Sequence, residues 1–207
     1  MELIGVAAGG LAPDVLEWAL VLLRSGRLII YPTDTLYALG GRALDPAASA
    51  AVRAAKGRSD DQPLPLIVAD GAQAAGVVRA WPESAQRLAA RFWPGPLTLI
   101  LPAAPRVPDA VTSGTGTVAL RVPAAMVARQ LAEGAGPLIS TSANLTGKRP
   151  PLQCSEAVEG VGAAAALALD AGPGRAQPST IVDLTVDPPR LVRAGALDWA
   201  QVRTVLG

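Results

Sequence analysis

The stretch Arg27-Leu-Ile-Ile-Tyr31-Pro-Thr-Asp-Thr35 decides the fold class. Its apolar run carries two adjacent isoleucines and is stopped by Pro32, which predicts a short buried strand feeding the polar loop Thr33-Asp34-Thr35. Upstream, Pro13 and Asp14 open a segment in which Val15, Leu16, Ala19, Leu20 and Leu23 recur at helical spacing. Gly26 stands where a helix C-cap is expected. Downstream, Ala47 to Ala55 reads as a helix broken at Gly57, Leu64 to Ala69 as a strand, and Pro82 to Phe92 as an amphipathic helix ended by Trp93-Pro94-Gly95. Short strands are then predicted at Leu97 to Leu101, Thr117 to Val122, Pro137 to Thr141, Ala165 to Asp170, Thr180 to Leu184 and Arg190 to Arg193. Several lie too close together for every link to be a crossover helix. The expectation is therefore an α/β domain with a mixed sheet and flanking helices.

The 207 residues are 50% hydrophobic and 3% aromatic, so an aliphatic core is implied, and one compact domain over residues 1–207 is the default. Pro/Gly-rich stretches at 102–116, 145–151 and 171–178 read as mobile loops, because strand patterns resume directly after each. A formal charge of +1 supplies no global field toward nucleic acid or an anionic membrane, so any anion site must be local. Histidine is absent, which excludes a Ser-His-Asp triad, a Cys-His pair and histidine metal sites. Cys154 is the only cysteine, which rules out an internal disulfide and disfavours a cysteine zinc site. With no signal-peptide pattern at Met1 to Gly10 and no spanning apolar run, the sequence reads as soluble and cytoplasmic.

Polar clusters fall at predicted element ends. Lys56-Gly-Arg58 could place two cations beside exposed backbone N–H groups for phosphate or carboxylate oxygens, although at a helix C-terminus such a motif more often only complements the helix dipole. Ser140-Thr-Ser-Ala-Asn144 follows the apolar Pro137-Leu-Ile139, either delivering neutral donors to a cleft or forming a capped turn. Arg121 sits in an otherwise apolar strand, where its guanidinium calls for an internal carboxylate or a ligand anion. Neither a Gly-x-Gly-x-x-Gly fingerprint nor a Walker-type phosphate loop is present. Asp60-Asp61 reads as solvated surface, and no protein metal ligand is assigned.

Read in order, Tyr31-Pro-Thr-Asp-Thr-Leu-Tyr-Ala-Leu-Gly40, Lys56-Gly-Arg58, Phe92-Trp-Pro-Gly-Pro-Leu-Thr98, Val118-Ala-Leu-Arg-Val-Pro123, Ser140-Thr-Ser-Ala-Asn144, Ser179-Thr-Ile-Val-Asp183 and Leu191-Val-Arg-Ala-Gly195 resemble one family. It is the YrdC/Sua5/TsaC-type L-threonylcarbamoyladenylate synthases, in their short, single-domain form. The resemblance implies a YrdC-like twisted mixed sheet around a concave cleft. It also implies formation of threonylcarbamoyl-AMP and pyrophosphate from L-threonine, bicarbonate and ATP, for the N6-threonylcarbamoyladenosine of tRNA. The family's Lys, Arg, Ser, Asn tetrad falls on Lys56, Arg58, Ser142 and Asn144 as the implied catalytic set. ATP would be handled by Lys56, Arg58, Gln62, Thr117, Ser142 and Arg193, and threonine by Thr35, Arg121, Ser140 and Ser179. Mg²⁺ would arrive with ATP, and the product would pass to a threonylcarbamoyl transferase.

Such chemistry rests on positioning and charge neutralisation, so the missing histidine is no obstacle. A carbamate is labile in water, which makes Leu145 to Pro151 the expected lid. The chain departs from the family pattern at Ala38, Ser59, Ile67 and Pro150. Pro150 stands where a serine often contacts ATP, and Ile67 near a threonine-binding histidine of longer members. The alternative reading is an RNA-binding module on the same fold, holding tRNA or double-stranded RNA weakly through phosphate contacts. So few aromatics provide no stacking platform for it. Carbamoyl transfer in hydrogenase maturation is a third option, but there the related domain accompanies cysteine-rich modules absent from this sequence.

Overall fold

A computed structural model describes residues 1–57, 59, 62–174 and 177–207. The elements follow in the order β1 (Glu2–Gly5), α1 (Pro13–Arg24), β2 (Leu28–Pro32), β3 (Tyr37–Gly40), α2 (Pro46–Lys56), β4 (Leu66–Ile67), α3 (Gly71–Ala75), α4 (Glu83–Phe92), β5 (Leu97–Pro102) and α5 (Asp109–Thr112). Then come β6 (Thr117–Arg121), α6 (Met126–Ala135), β7 (Leu138–Ile139), β8 (Thr141–Ser142), α7 (Cys154–Val161), β9 (Ala165–Asp170), β10 (Thr180–Asp183), β11 (Arg190–Arg193) and α8 (Trp199–Leu206).

The strands are mixed, as the spacing implies, and they divide between two sheets. One runs β1-β9-β2-β3-β8 and the other β11-β10-β5-β6-β4-β7. Central β2 is parallel to β9 and antiparallel to β3. Its alternate residues enter different cores: Leu28 and Ile30 belong to the cluster that includes Leu39, Val52, Leu97 and Leu120, while Ile29 and Tyr31 belong to the one that includes Leu23, Leu131 and Leu167. A strand covered on both faces needs apolar residues at every position, which accounts for the unbroken run in the sequence.

The predicted strand at Pro137 to Thr141 is split. β7 belongs to the second sheet and β8 to the first, so Ser140 is where the chain steps between them, its N–H donating to Pro65 O at 2.8 Å. Gly40 makes this junction sterically attainable. A Cβ there would stand 2.0 Å from Ile139 O and 3.0 Å from the Tyr31 ring. The hydroxyl of Tyr31 donates to the same Ile139 carbonyl at 3.1 Å, fixing the step from the other side.

Local signals set the element ends. Asp45 caps α2 by accepting from Ala47 N, Pro46 opens the helix, and Gly57 closes it at φ 57°, a left-handed conformation suited to glycine. The α7 start carries a capping box between Gln153 and Glu156.

Candidate active site

A cleft of about 470 Å³ opens between the two sheets, beside the Ser140 crossing. The β2–β3 turn forms one wall. Thr33 Oγ1 donates to Leu36 O at 2.6 Å and accepts from Thr35 N and Leu36 N, a compact hydroxyl-built turn that turns Thr35 toward the cleft. Across from it, β6 places Ala119 and Arg121 on the cleft face by its two-residue period.

Only 7% exposed, Arg121 is fixed at both ends of its guanidinium. Nη1 donates to Asp34 Oδ1 at 2.8 Å and Nη2 to Thr35 Oγ1 at 3.1 Å. The internal carboxylate that the sequence left open is thus Asp34, and the same guanidinium also lines the cleft. Ion pairing and access to a ligand coexist in one residue.

Ser179 ends the loop before β10. Its hydroxyl shares a 2.8 Å hydrogen bond with Thr98 Oγ1 and accepts from Arg193 Nη2 at 3.1 Å, while Arg193 also donates to Ser179 O through Nε and Nη2 at 3.1 and 2.8 Å. That approach depends on Gly195, where a Cβ would stand 2.4 Å from Pro178 O. Burial first, and the positive charge of Arg121 second, lower the pKa of Arg193. The cleft is therefore a region where positive charge accumulates and an anion would be stabilised.

Thr35, Arg121, Ser140, Ser142, Ser179 and Arg193 are brought together in this lining. Lys56 lies beneath it rather than in it: its side chain is buried, and Nζ donates to Ser142 O and Asn144 O, each at 2.5 Å. Asn144 turns its Nδ2 to Leu145 O and Lys148 O at 2.9 and 2.8 Å, leaving buried Oδ1 with no partner among the described residues. Thr117 shares the cleft face of β6 but stands four residues from Arg121, about 13 Å along a strand, outside the lining. Gln62 is exposed and also outside it. Arg58 falls outside the described residues, as do Asp60 and Asp61.

The lining also holds Thr33 and Thr141 of the polar clusters singled out in the sequence, and it adds two residues given no role there, Thr98 and Arg149. Thr98 had a readable signal, a lone hydroxyl within the apolar run Leu97 to Leu101. Arg149 had only its place in the Leu145 to Pro151 segment, expected as a lid. Among the described residues no Asp or Glu lines the cleft, and no cluster of three or more potential metal-binding side chains occurs. Hydroxyls and guanidiniums suit carboxylate and phosphate oxygens.

Comparison with known proteins identifies the family. The sequence model of the family grouping Sua5, YciO and YrdC, described as "Telomere recombination", matches residues 21–195. A protein of Mycobacterium tuberculosis (strain H37Rv) is 39% identical over 186 residues, 89% of this chain and 86% of its own length. The threonylcarbamoyl-AMP synthase of Pyrococcus abyssi is 39% identical over 197 residues, 92% of this chain but 58% of that protein. The crystal structure of P. abyssi Sua5 complexed with L-threonine superposes with a TM-score of 0.96 at 37% identity, covering 100% of this chain and 61% of that one. This chain thus spans less than two thirds of the Pyrococcus proteins it matches. With both the family model and these relatives aligned over most of its length, the chain belongs to the Sua5–YciO–YrdC family.

Proposed function

We propose that the chain is a threonylcarbamoyl-AMP synthase, a nucleotidyltransferase that joins L-threonine, bicarbonate and ATP. The observation that carries this reading is the convergence of Thr35, Arg121, Ser140, Ser142, Ser179 and Arg193 on one cleft. It is supported by the superposition on a relative complexed with L-threonine. Arg121, held by Asp34, receives the threonine carboxylate, and the Thr35, Ser140 and Ser179 hydroxyls surround the rest of the amino acid. The neutral threonine amine attacks the bicarbonate carbon and water departs, leaving a carbamate. A carbamate oxygen then attacks the α-phosphorus, forming the mixed anhydride as the bond to pyrophosphate breaks.

Charge builds on phosphate oxygens in that second step. Arg193 and the Ser142 hydroxyl serve them from the lining, with Arg58, Gln62 and Thr117 assigned to ATP by family resemblance. Lys56 and Asn144 shape the segment that carries Ser142. Mg²⁺ travels with the ATP phosphates, because the cleft offers donors for anions and no described carboxylate for a metal. The adenylate is handed to a threonylcarbamoyl transferase acting on tRNA. No described helix is long and apolar enough to cross a membrane, and we place the reaction in the cytoplasm.

The test is pyrophosphate release from Mg–ATP, with mass detection of the adenylate. Product that requires both L-threonine and bicarbonate is expected. Folded protein that binds ATP and yields no adenylate would overturn the assignment and favour a binding role on the same fold.

A further inference from the structure

We infer that Arg149 binds the terminal polyphosphate of the nucleotide, closing on it from the wall opposite Arg193; this rests on the synthase reading above. Three described cations line the cleft: Arg121, Arg149 and Arg193. Arg121 is neutralised at 2.8 Å by Asp34 and belongs to the amino-acid end. Arg193 comes from the second sheet and is anchored on Ser179. Arg149 comes from the other sheet, on the segment that follows β8, and shares the lining with Thr141 and Ser142 of that strand. Its guanidinium makes no hydrogen bond among the described residues, and its charge is felt weakly by Glu156. An ATP tail carries several negative charges, and the cleft's remaining positive charge faces it from these two walls.

The backbone around Arg149 is braced so that the side chain is presented rather than left to wander. Thr146 N donates to Lys56 O at 2.9 Å, and the Asn144 amide holds Leu145 O and Lys148 O on the near side. On the far side Glu156 accepts from Leu152 N and Gln153 N at 2.7 and 3.1 Å. Between these clamps stand Arg149, Pro150 and Pro151, where the proline rings fix two of the backbone dihedrals. The unbraced part of the segment is thus the long arginine side chain itself. Gly174 N donates to Leu152 O at 2.7 Å, so this segment and the 171–174 loop are joined at a residue of the cleft lining. The bland alternative is an exposed arginine that merely neighbours Glu156, which would leave nucleotide affinity untouched.

The experiment compares Mg–ATP and AMP binding by titration calorimetry in the full chain, for wild type, Arg149→Gln and Arg149→Lys, with KM for ATP and for threonine alongside. Arg149 is exposed, so both variants should fold. Arg149→Gln should weaken Mg–ATP about tenfold and AMP less than twofold, as expected for one solvent-accessible charge-assisted contact to the tail. KM for threonine should hold within twofold, and Arg149→Lys should recover a large part of the loss. Mg–ATP affinity within twofold of wild type in Arg149→Gln, or an equal loss for AMP, would overturn the inference. If wild type makes no adenylate, the synthase reading fails, yet the Mg–ATP against AMP comparison still decides the role of Arg149. A wild type that binds no Mg–ATP would sink both.

Discussion

Lys56→Met removes the ammonium that ties α2 to the Ser142–Asn144 segment while keeping a similar side-chain volume. Asn144 O loses this donor, whereas Ser142 O keeps a second one from Asn144 N at 2.9 Å. A hydrogen bond from a charged donor contributes about 1.5–3 kcal/mol, so the gross loss is about 3–6 kcal/mol. Part of it is returned, because the variant no longer takes a charge out of water, a cost of several kcal/mol for a side chain only 4% exposed. The net expectation is a loss of about 2 kcal/mol, or roughly 4–8 °C in Tm for a domain of this size. Urea unfolding without ligands measures it, since catalysis plays no part there. Lys148→Met, on an exposed side chain nearby, is the control and should stay within about 0.5 kcal/mol. The freed segment should also be cut faster by protease between residues 145 and 151. A Lys56→Met protein equal to its control in both measurements would refute the brace and return Lys56 to a role in ligand contact alone.

Asp34→Asn should destabilise the fold and raise KM for threonine through Arg121. In a cycle with Arg121→Gln the coupling should reach about 1 kcal/mol or more, and additive effects would contradict the pairing. In Tyr37→Phe the loss should be about 1–3 kcal/mol, since the hydroxyl hydrogen lies between Asp170 Oδ1 and Gly172 O and its oxygen accepts from Ala171 N. An unchanged unfolding midpoint would show that this network carries nothing. Alkali should unfold the protein early: burial, then the charge of Asp170, push the Cys154 thiol up to about 11 from its ordinary 9.0, and burial also raises Tyr31 and Tyr37. The folded chain keeps protons that the unfolded chain releases, so this stability is complete below pH 9 and drains as pH rises toward 11, by up to about 1.4 kcal/mol per unit for each group. Constant stability from pH 8.5 to 10.5 would contradict it, and Cys154→Ala should flatten the first part of the slope.

Much of this architecture is legible because both local pattern and burial point the same way. The run at Leu28 to Tyr31 announces a doubly covered strand, and Pro46 with Gly57 brackets α2. Tyr37 to Gly40 is a strand that the sequence pattern does not announce, because its neighbours Asp34 and Thr35 mark a turn and Gly40 marks a break. Only the close approach of Ile139 O explains why a glycine sits at the end of β3. The partition into two sheets was hidden for a related reason: β7 and β8 are short and contiguous, and nothing in their side chains marks the step at Ser140. Within the site, residues with a distinctive charge or hydroxyl on an apolar strand were found, as with Arg121. The carbonyl partners of Lys56 were not, because backbone acceptors carry no residue identity.

The pairing of β2 with β9 also governs how the protein is born. Leu28 must wait for Ala165 before its parallel partner exists, and β1, made earlier, waits longer for the same strand. At about 5–20 residues per second, that delay is roughly 7–30 s during which Leu28 to Tyr31, wholly apolar but for one hydroxyl, lacks its neighbour outside the ribosome. The first sheet therefore cannot be completed in step with translation, and its central strand is the segment a nascent-chain chaperone would have most reason to shield.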